Sequence, residues 1–190
     1  MDTQLEKAYQ HVSGQRRHHP YVSDIWHTRF SWSRIKAWVM TRIQNGSYSF
    51  EPARERRVKG QVIRCVDSLD AIVMQVVKQQ IGSVCERQTR SCCVHVAGRG
   101  GLKRALRVLA ARAHNYTYVI KSDVYSFYDS IDQTLLCSML SKIGIKGAML
   151  ALCKGIIGHL LIRKNGEMTE MRQGISKGSA PLFGAVYLRE

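Results

Sequence analysis

Acidic residues and long apolar runs are both scarce in this chain of 190 residues. It has 14 Asp and Glu against 29 Lys and Arg, which gives a formal net charge of +15 at pH 7. No apolar run approaches the roughly 20 residues that span a bilayer, and the first residues do not have the pattern of a secretory signal peptide. We therefore expect no membrane partner and, by default, a cytoplasmic location.

The sequence also contains no internal repeat and no low-complexity linker. Its composition, 45% hydrophobic and 23% charged, is typical of a globular protein that can bury a core. The excess of positive charge favours a polyanionic partner, most simply nucleic acid. A basic surface that serves only solubility is the alternative explanation.

The cysteines follow no common disulfide or metal-binding spacing. They are Cys65, Cys85, Cys92, Cys93, Cys137 and Cys153. Several of them lie in apolar helical patterns, so we expect reduced thiols that pack as small hydrophobic groups. A zinc site formed by Cys85, Cys92, Cys93 and His95 is a less favoured alternative, because adjacent cysteines are awkward ligands for one tetrahedral ion.

Local patterns predict helices and two hairpins before the chain reaches its most informative segment. Residues 1–24 are polar and predict a weakly helical, mobile arm. A helical stripe ends at Asn45-Gly46, and Asp67 or Ser68 begins the next helix. Gly60 and the pair Asn165-Gly166 each predict a hairpin between short strands.

The segment from Tyr118 to Ile131 combines a strand pattern with one carboxylate at the end of the predicted strand. Its apolar start predicts a buried strand, and Asp123 follows where that strand would end. A carboxylate suits a hard cation such as Mg²⁺ better than a soft one. Aromatic residues then lead into an amphipathic helix, whose apolar stripe ends at Gly144.

The string from Asp123 to Ile131 resembles the first palm motif of reverse transcriptases, in particular those of group II introns, retrons and their bacterial relatives. The string from Gln173 to Leu188 resembles the second palm motif, a glycine turn that leads into a helix. The segment from Gly46 to Pro52 is similar to the entry of the fingers in the same family. Together these resemblances cover roughly residues 31–190.

This resemblance implies an α+β fold, with reverse-transcriptase fingers and a partial palm in which helices pack on a small antiparallel sheet. The implied divisions are an N-terminal arm at 1–30, a fingers-like region at 31–115 and the partial palm at 116–190. The implied activity is RNA-directed DNA synthesis. Its partners would be an RNA template, a DNA primer and a dNTP, and its cofactor Mg²⁺.

The resemblance also implies roles for residues near the nucleotide. Asp123 would be the catalytic metal ligand, helped by the backbone carbonyl of Val124. Tyr128 would close on the sugar and exclude a 2′-hydroxyl. Lys177 would bind the nucleotide phosphates or sugar, and Gly178 would allow a close approach of the backbone.

Basic residues of the fingers-like region are the implied phosphate contacts. Arg64 would grip the incoming triphosphate, while Arg56, Arg57 and Lys59 would contact nucleic acid. Arg99, in a glycine-rich turn before a basic helix, would contact the template backbone, although a role in the turn alone is the alternative. Many relatives carry arginine at the position of Ala71, so a contact made by that arginine is missing here.

The third palm motif of the family, an aromatic residue followed by x-Asp-Asp, would lie beyond Leu188, as would the thumb. One carboxylate and a carbonyl are poor ligands for two strongly hydrated ions. We therefore expect a fragment or a truncated product that does not polymerise by itself, possessing only the fingers and the first part of the palm. The alternative is a non-catalytic RNA- or DNA-binding remnant of a reverse transcriptase.

Overall fold

A computed structural model describes residues 1–58, 61–90, 92–94, 99–158, 160–162, 166–176 and 178–188. Within these residues the chain forms eight α-helices and four strands, and a short 3₁₀ helix follows α4. The helices are α1 (Asp2–Gln15), α2 (Asp24–Asn45), α3 (Ser68–Gln88), α4 (Gly101–Arg112), α5 (Phe127–Ser130), α6 (Gln133–Lys142), α7 (Gly147–Ile157) and α8 (Ala180–Tyr187). None of these helices is long and apolar enough to cross a membrane.

The four strands form one sheet in the order β2-β1-β3-β4. The strands are β1 (Ala53–Val58), β2 (Gln61–Cys65), β3 (Leu160–Ile162) and β4 (Met168–Glu170). Both antiparallel hairpins that the sequence predicts are confirmed. A short parallel pairing of β1 with β3 joins them, with Ala53 opposite Leu161, and this pairing was not predicted because it depends on tertiary contacts between distant segments.

Helix α3 lies at the centre of the helical core. Its residues Ile72, Val73, Val76 and Val77 have no exposed surface, and it contacts α1, α2, α7 and α8. These residues form an apolar stripe along the helix, and its predicted start is confirmed, with Asp67 as the N-cap. Burial of each such aliphatic side chain contributes about 1.5–3 kcal/mol.

Helix α1 belongs to this core, which differs from the mobile arm that its polar composition predicts. Leu5 and Ala8 are fully buried, and α1 packs along α3. The ring of Tyr9 stacks on Trp32 of α2 with centroids 4.2 Å apart. A helix with few apolar residues can be anchored in this way when all of them fall on one face.

The segment from Gly46 to Pro52 ties three helices together around one buried carboxylate. Tyr48 donates a hydrogen bond from its hydroxyl to Asp70 Oδ1 at 2.7 Å, and the Glu51 amide donates to Asp70 Oδ2 at 3.0 Å. The ring of Phe50 lies against Gly155 of α7. Burial raises the pKa of Asp70 to about 6 and also raises the pKa of Tyr48, while the hydrogen bond from Tyr48 to Asp70 opposes the shift of the carboxyl.

The buried strand predicted at the start of the segment 118–131 is not formed. Every residue from Leu106 to Ser126 is exposed, and Ile120 retains 92% of its accessible surface. A strand becomes buried only when neighbouring strands pair with its backbone and another layer covers its side chains. Among the described residues no strand lies beside this segment. The apolar pattern therefore did not lead to a buried strand here.

Candidate functional site

The two palm-like segments, which are separated by more than 40 residues in sequence, pack directly against each other. The amide of Gly174 donates to the carbonyl of Ile131 at 2.8 Å, and the amide of Ile175 donates to the carbonyl of Tyr128 at 2.8 Å. The side-chain amide of Gln173 donates to the carbonyl of Ser130 at 3.1 Å. The residues that carry the resemblance thus form one continuous substructure.

Glycines make this close approach possible. Gly174 has a φ of +79°, and a Cβ there would lie 2.9 Å from Asp129 Cα. A Cβ at Gly184, on α8, would lie 2.9 Å from the ring of Tyr128. At Gly174 the Cβ would meet backbone atoms, so the contact between the segments requires glycine there, whereas a Cβ at Gly184 would force the ring of Tyr128 to shift.

Side chains at the start of α6 reinforce the contact. The Oδ1 atom of Asp132 accepts a hydrogen bond from the Leu135 amide at 2.8 Å and caps the helix. Asp132, and not Asp129, is therefore the N-cap of α6, which begins at Gln133. The amide nitrogen of Gln133 donates to the carbonyl of Gly174 at 2.9 Å.

Asp123 and Val124 lie on the exposed segment that precedes α5. The chain then turns at Ser126, which has a φ of 49°, and delivers Tyr128 to the contact with Gly184. Tyr128 is 42% exposed, so part of its ring faces solvent beside the two motifs. Contacts with other elements therefore fix the position of Tyr128. Asp123 is near the two motifs only because it lies five residues before Tyr128 in the sequence.

The described residues contain no group of three His, Cys, Asp or Glu side chains that could hold a metal ion. Mg²⁺ is usually bound by one or two carboxylates, and waters and substrate phosphates complete its octahedral shell. Asp123 and the carbonyl of Val124 therefore remain predicted ligands, and no cluster of described side chains adds to them.

Gly178 lies at the edge of a cavity of about 310 Å³ that also borders α1 and α3. A Cβ at Gly178 would meet nothing within 4 Å. Ala71 lines the same cavity, and its small side chain leaves space at the position where many relatives of the resembled family carry arginine. Lys177, predicted to contact the nucleotide, lies outside the described residues.

The predicted basic hairpin is present as β1 and β2. Arg64 is half-buried on β2, directly opposite Glu55 on β1. Arg56 and Arg57 lie on β1, but their side chains are not among those described, and Lys59 lies outside the described residues. Opposite charges at facing positions of two strands stabilise the pair, so Arg64 has a structural neighbour as well as its predicted role.

Arg99 makes its hydrogen bonds to the end of α3. Its Nη2 atom donates to the carbonyl of Glu86 at 2.7 Å, and its Nη1 atom donates to the carbonyl of Arg90 at 2.5 Å. Both nitrogens also lie 3.3 Å from the carbonyl of Thr89. The guanidinium thus satisfies carbonyls that a helix end leaves without partners, and a phosphate would compete with these bonds.

A basic cavity between α6 and α7 was not predicted from the sequence. It has a volume of about 940 Å³, and Lys142, Lys146 and Lys154 contribute to its lining, with no carboxylate among the described lining residues. Burial raises the pKa of the Cys137 thiol in the same lining, and the charge of Lys154 opposes that shift. The available signal was the absence of Asp and Glu from Gln133 to Gly166.

Two of the remaining cysteines are packed in the core, whereas Cys92 is exposed and Cys65 and Cys93 are partly buried. Cys85 and Cys153 are buried in the core, where burial raises their pKa values to about 11 and about 12. Thiols with such pKa values are protonated at neutral pH and are poor nucleophiles and metal ligands. His95, which the zinc alternative requires, lies outside the described residues.

No family model matches the sequence, and no curated protein matches it. Two solved structures that resemble it are a partial Cas6-RT-Cas1–Cas2 complex and a Cas6-RT-Cas1–Cas2 complex, each with a TM-score of 0.54 and 12% sequence identity. The matches cover 95% of this chain but 31% and 20% of the matched chains, so this chain spans less than a third of their length. At this identity the likeness concerns fold alone, and the chain has a reverse-transcriptase-like fold of the α+β class.

Proposed function

We propose that this chain is a reverse-transcriptase domain, comprising fingers and part of a palm, that binds nucleic acid but does not synthesise DNA by itself. The observation that carries this proposal is the hydrogen-bonded contact between Tyr128 and Ile175. It unites two segments that independently resemble consecutive palm motifs. A chance resemblance of two separate strings would not lead us to expect that they meet in the folded chain.

The distribution of charge supports a nucleic-acid partner. Between Glu86 and Asp123 the sequence has no acidic residue, and the cationic residues Lys103, Arg104 and Arg107 are exposed on α4. The lysines of the cavity between α6 and α7 extend the supply of exposed cations. Such a surface binds phosphates mainly through release of counterions, with little preference for sequence. An RNA template and a DNA primer are the partners that the resemblance implies.

Nucleotidyl transfer requires ligands that Asp123 alone does not supply. When bound in such an enzyme, two Mg²⁺ ions activate the attacking 3′-hydroxyl and neutralise charge on the leaving pyrophosphate. We propose that the necessary further carboxylates come from outside the described residues. In a completed enzyme, Tyr128 would favour dNTPs because its half-exposed ring would crowd a 2′-hydroxyl.

The test combines a binding assay and a primer-extension assay on the same preparation. A labelled RNA template annealed to a DNA primer is titrated with the protein over a series of salt concentrations. Extension is then measured with Mg²⁺ and dNTPs. We expect binding that weakens steeply as salt rises, and no extension. Absence of binding at low salt would refute the nucleic-acid assignment.

Extension by this chain would refute the part of the proposal that concerns inactivity. In that case Asp123→Ala should abolish extension and leave affinity nearly unchanged, because one exposed carboxylate contributes little to phosphate binding. Loss of affinity without loss of turnover in that variant would contradict the metal-ligand role. Tyr128→Ala should then admit ribonucleotides, and an unchanged ratio of dNTP to NTP use would contradict the sugar-gate role.

A further inference from the structure

Helix α2 presents two large aromatic side chains to solvent. Phe30 keeps 81% of its accessible surface and Trp38 keeps 49%. The opposite face of the helix is turned to the core, where Ile25, Val39 and Ile43 are buried. Aromatic rings stabilise a fold mainly when they are buried, so two rings on the solvent face of one helix need an explanation other than packing.

An arginine lies beside each of these rings. Phe30, Arg34, Trp38 and Arg42 follow one another at intervals of four residues, so they form one row along the helix, called here the aromatic row. The guanidinium of Arg42 lies 4.6 Å from the centroid of the Trp38 ring, and that of Arg34 lies 5.8 Å from the centroid of Phe30. Arg42 also donates to the carbonyl of Ser47 at 3.3 Å. These contacts hold the two rings about 12 Å apart along the helix axis.

The surroundings of the aromatic row are open and lack negative charge. A groove of about 490 Å³ beside the indole is lined by Ala37, Trp38, Thr41, Arg42 and Ser47. The sequence has no Asp or Glu from Ile25 to Phe50. Asp24, at the start of α2, is engaged by Arg16 and by the amide of Ser68. Flat apolar surface and positive charge therefore lie side by side on this helix, and no carboxylate of α2 neutralises the charge.

We propose that the aromatic row binds single-stranded nucleic acid, with unpaired bases stacked on the rings of Phe30 and Trp38. A ligand that fits this surface must supply flat apolar groups and negative charge together. Unpaired nucleotides supply both, since each base has a free π face and each nucleotide carries a phosphate. The guanidinium of Arg42, which borders the groove, can bind that phosphate. This role rests on the nucleic-acid binding proposed above and adds a surface outside the two palm-like segments and α4.

The chemistry of the aromatic row disfavours a duplex or a protein segment as its occupant. In a duplex each base is covered by its neighbours in the stack, so Phe30 and Trp38 could not stack on it. An apolar protein segment would remove the guanidinium groups from water without a counter-charge, which is unfavourable. An acidic protein segment would supply the charge but no bases, and binding through the row would then not distinguish strands with bases from strands without them.

Strands with and without bases separate stacking from attraction to phosphate. A labelled RNA of about 12 nucleotides that does not pair with itself is compared with an abasic strand of the same length. The double variant Phe30→Ala/Trp38→Ala removes both rings, and Phe30→Ala alone changes only the more exposed one. Tyr116→Ala, which removes a ring that is 68% exposed elsewhere on the chain, is the matched control. Circular dichroism verifies that each variant folds.

We expect the native protein and Tyr116→Ala to bind the RNA roughly tenfold more tightly than the abasic strand, because stacking of a base on an aromatic ring changes affinity by about this factor. The double variant should lose this preference and bind the abasic strand as the native protein does, with an unchanged dependence on salt. Phe30→Ala should lose part of the preference. Equal binding of both strands by the native protein, or a preference that survives in the double variant, would overturn the proposal. Failure to bind either strand at low salt would refute nucleic-acid binding as a whole.

Discussion

The amide of Ile175 donates a hydrogen bond of 2.8 Å to the carbonyl of Tyr128. This bond connects α5, which lies within the first palm-like segment, to the loop before α8. Gly174, the residue before Ile175, makes the closest backbone approach between the two segments. The contact requires a positive φ and a missing side chain at Gly174. The effect of this requirement on stability can be measured without any assay of activity.

Gly174→Ala should destabilise the protein by roughly 3 kcal/mol. The left-handed φ of +79° accounts for about 1–2 kcal/mol, and the remainder comes from displacement of backbone atoms, since the new Cβ would lie 2.9 Å from Asp129 Cα. Unfolding in urea, followed by circular dichroism, measures this loss.

The matched control is Gly144→Ala. Gly144 also has a positive φ, +95°, but a Cβ there would meet nothing within 4 Å. Gly144→Ala should therefore lose only the part of the stability that the positive φ accounts for. Equal losses of stability in the two variants would contradict the claim that the two palm-like segments are in close backbone contact.

Asp70 should make stability depend on pH. Burial raises its pKa from 3.8 to about 6 in the folded chain, so the folded state binds this proton more tightly than the unfolded state does. The contribution to stability is present in full below about pH 4 and is lost as the pH rises through about 6. Asp70→Asn removes the titrating group, and its free energy of unfolding should lack this decline between pH 4 and pH 6.

Tyr48→Phe provides the companion measurement. In the native protein the hydroxyl of Tyr48 donates a hydrogen bond to Asp70 and so favours the charged carboxylate. Without that donor the pKa of Asp70 should rise further, and the decline in stability should move to higher pH. Parallel pH profiles for the native protein and Asp70→Asn would show that the carboxyl does not titrate in this window.

The comparison between sequence and structure shows which kinds of prediction depend on local information. The two hairpins, the stop of α2 at Gly46 and the start of α3 after Asp67 follow from turn and cap chemistry within a few residues. The contact between Gly174 and Asp129 is a long-range relation, and the sequence analysis did not predict it, because turn and cap patterns carry no information on which distant segments meet.

The predictions that were wrong concern segments whose burial depends on packing against another helix or strand. The pattern of Tyr118 to Ile120 predicted a buried strand, and this prediction was wrong, because strand propensity does not supply the neighbouring strand. The weak helical pattern of Leu5, Ala8 and Val12 is confirmed as α1, but the expected mobility was wrong, because the sequence does not show that α3 covers this face. The basic cavity between α6 and α7 was missed because its lysines come from two elements whose packing the sequence does not specify.

Arg99→Ala should lower stability by about 1–2 kcal/mol, because several carbonyls at the end of α3 lose a charged donor. If Arg99 acts only as this cap, the salt dependence of RNA binding should be unchanged in the variant once it is folded. Arg107→Ala, which removes an exposed cation on α4, should instead leave stability unchanged. A weaker salt dependence for Arg99→Ala would show that this guanidinium also contacts phosphate.

The cavity between α6 and α7 should contribute to nucleic-acid affinity through its three lysines. Replacing Lys142, Lys146 and Lys154 together by glutamine should reduce the slope of log affinity against log salt by about 2–3, since each neutralised phosphate contributes about 0.7–0.9. The side chains are exposed, so the variant should keep its fold. Salt titrations with labelled RNA give the slope.

The control for this last prediction removes the same charge elsewhere. Lys7, Arg17 and Arg34 are exposed cations on or beside α1 and α2 and do not line the cavity. Their replacement by glutamine lowers the net charge by the same three units, so a general electrostatic attraction would respond equally to both sets. A slope that changes only with the cavity lysines would locate phosphate contacts there, whereas equal changes would contradict a defined binding site and leave the net charge as the cause.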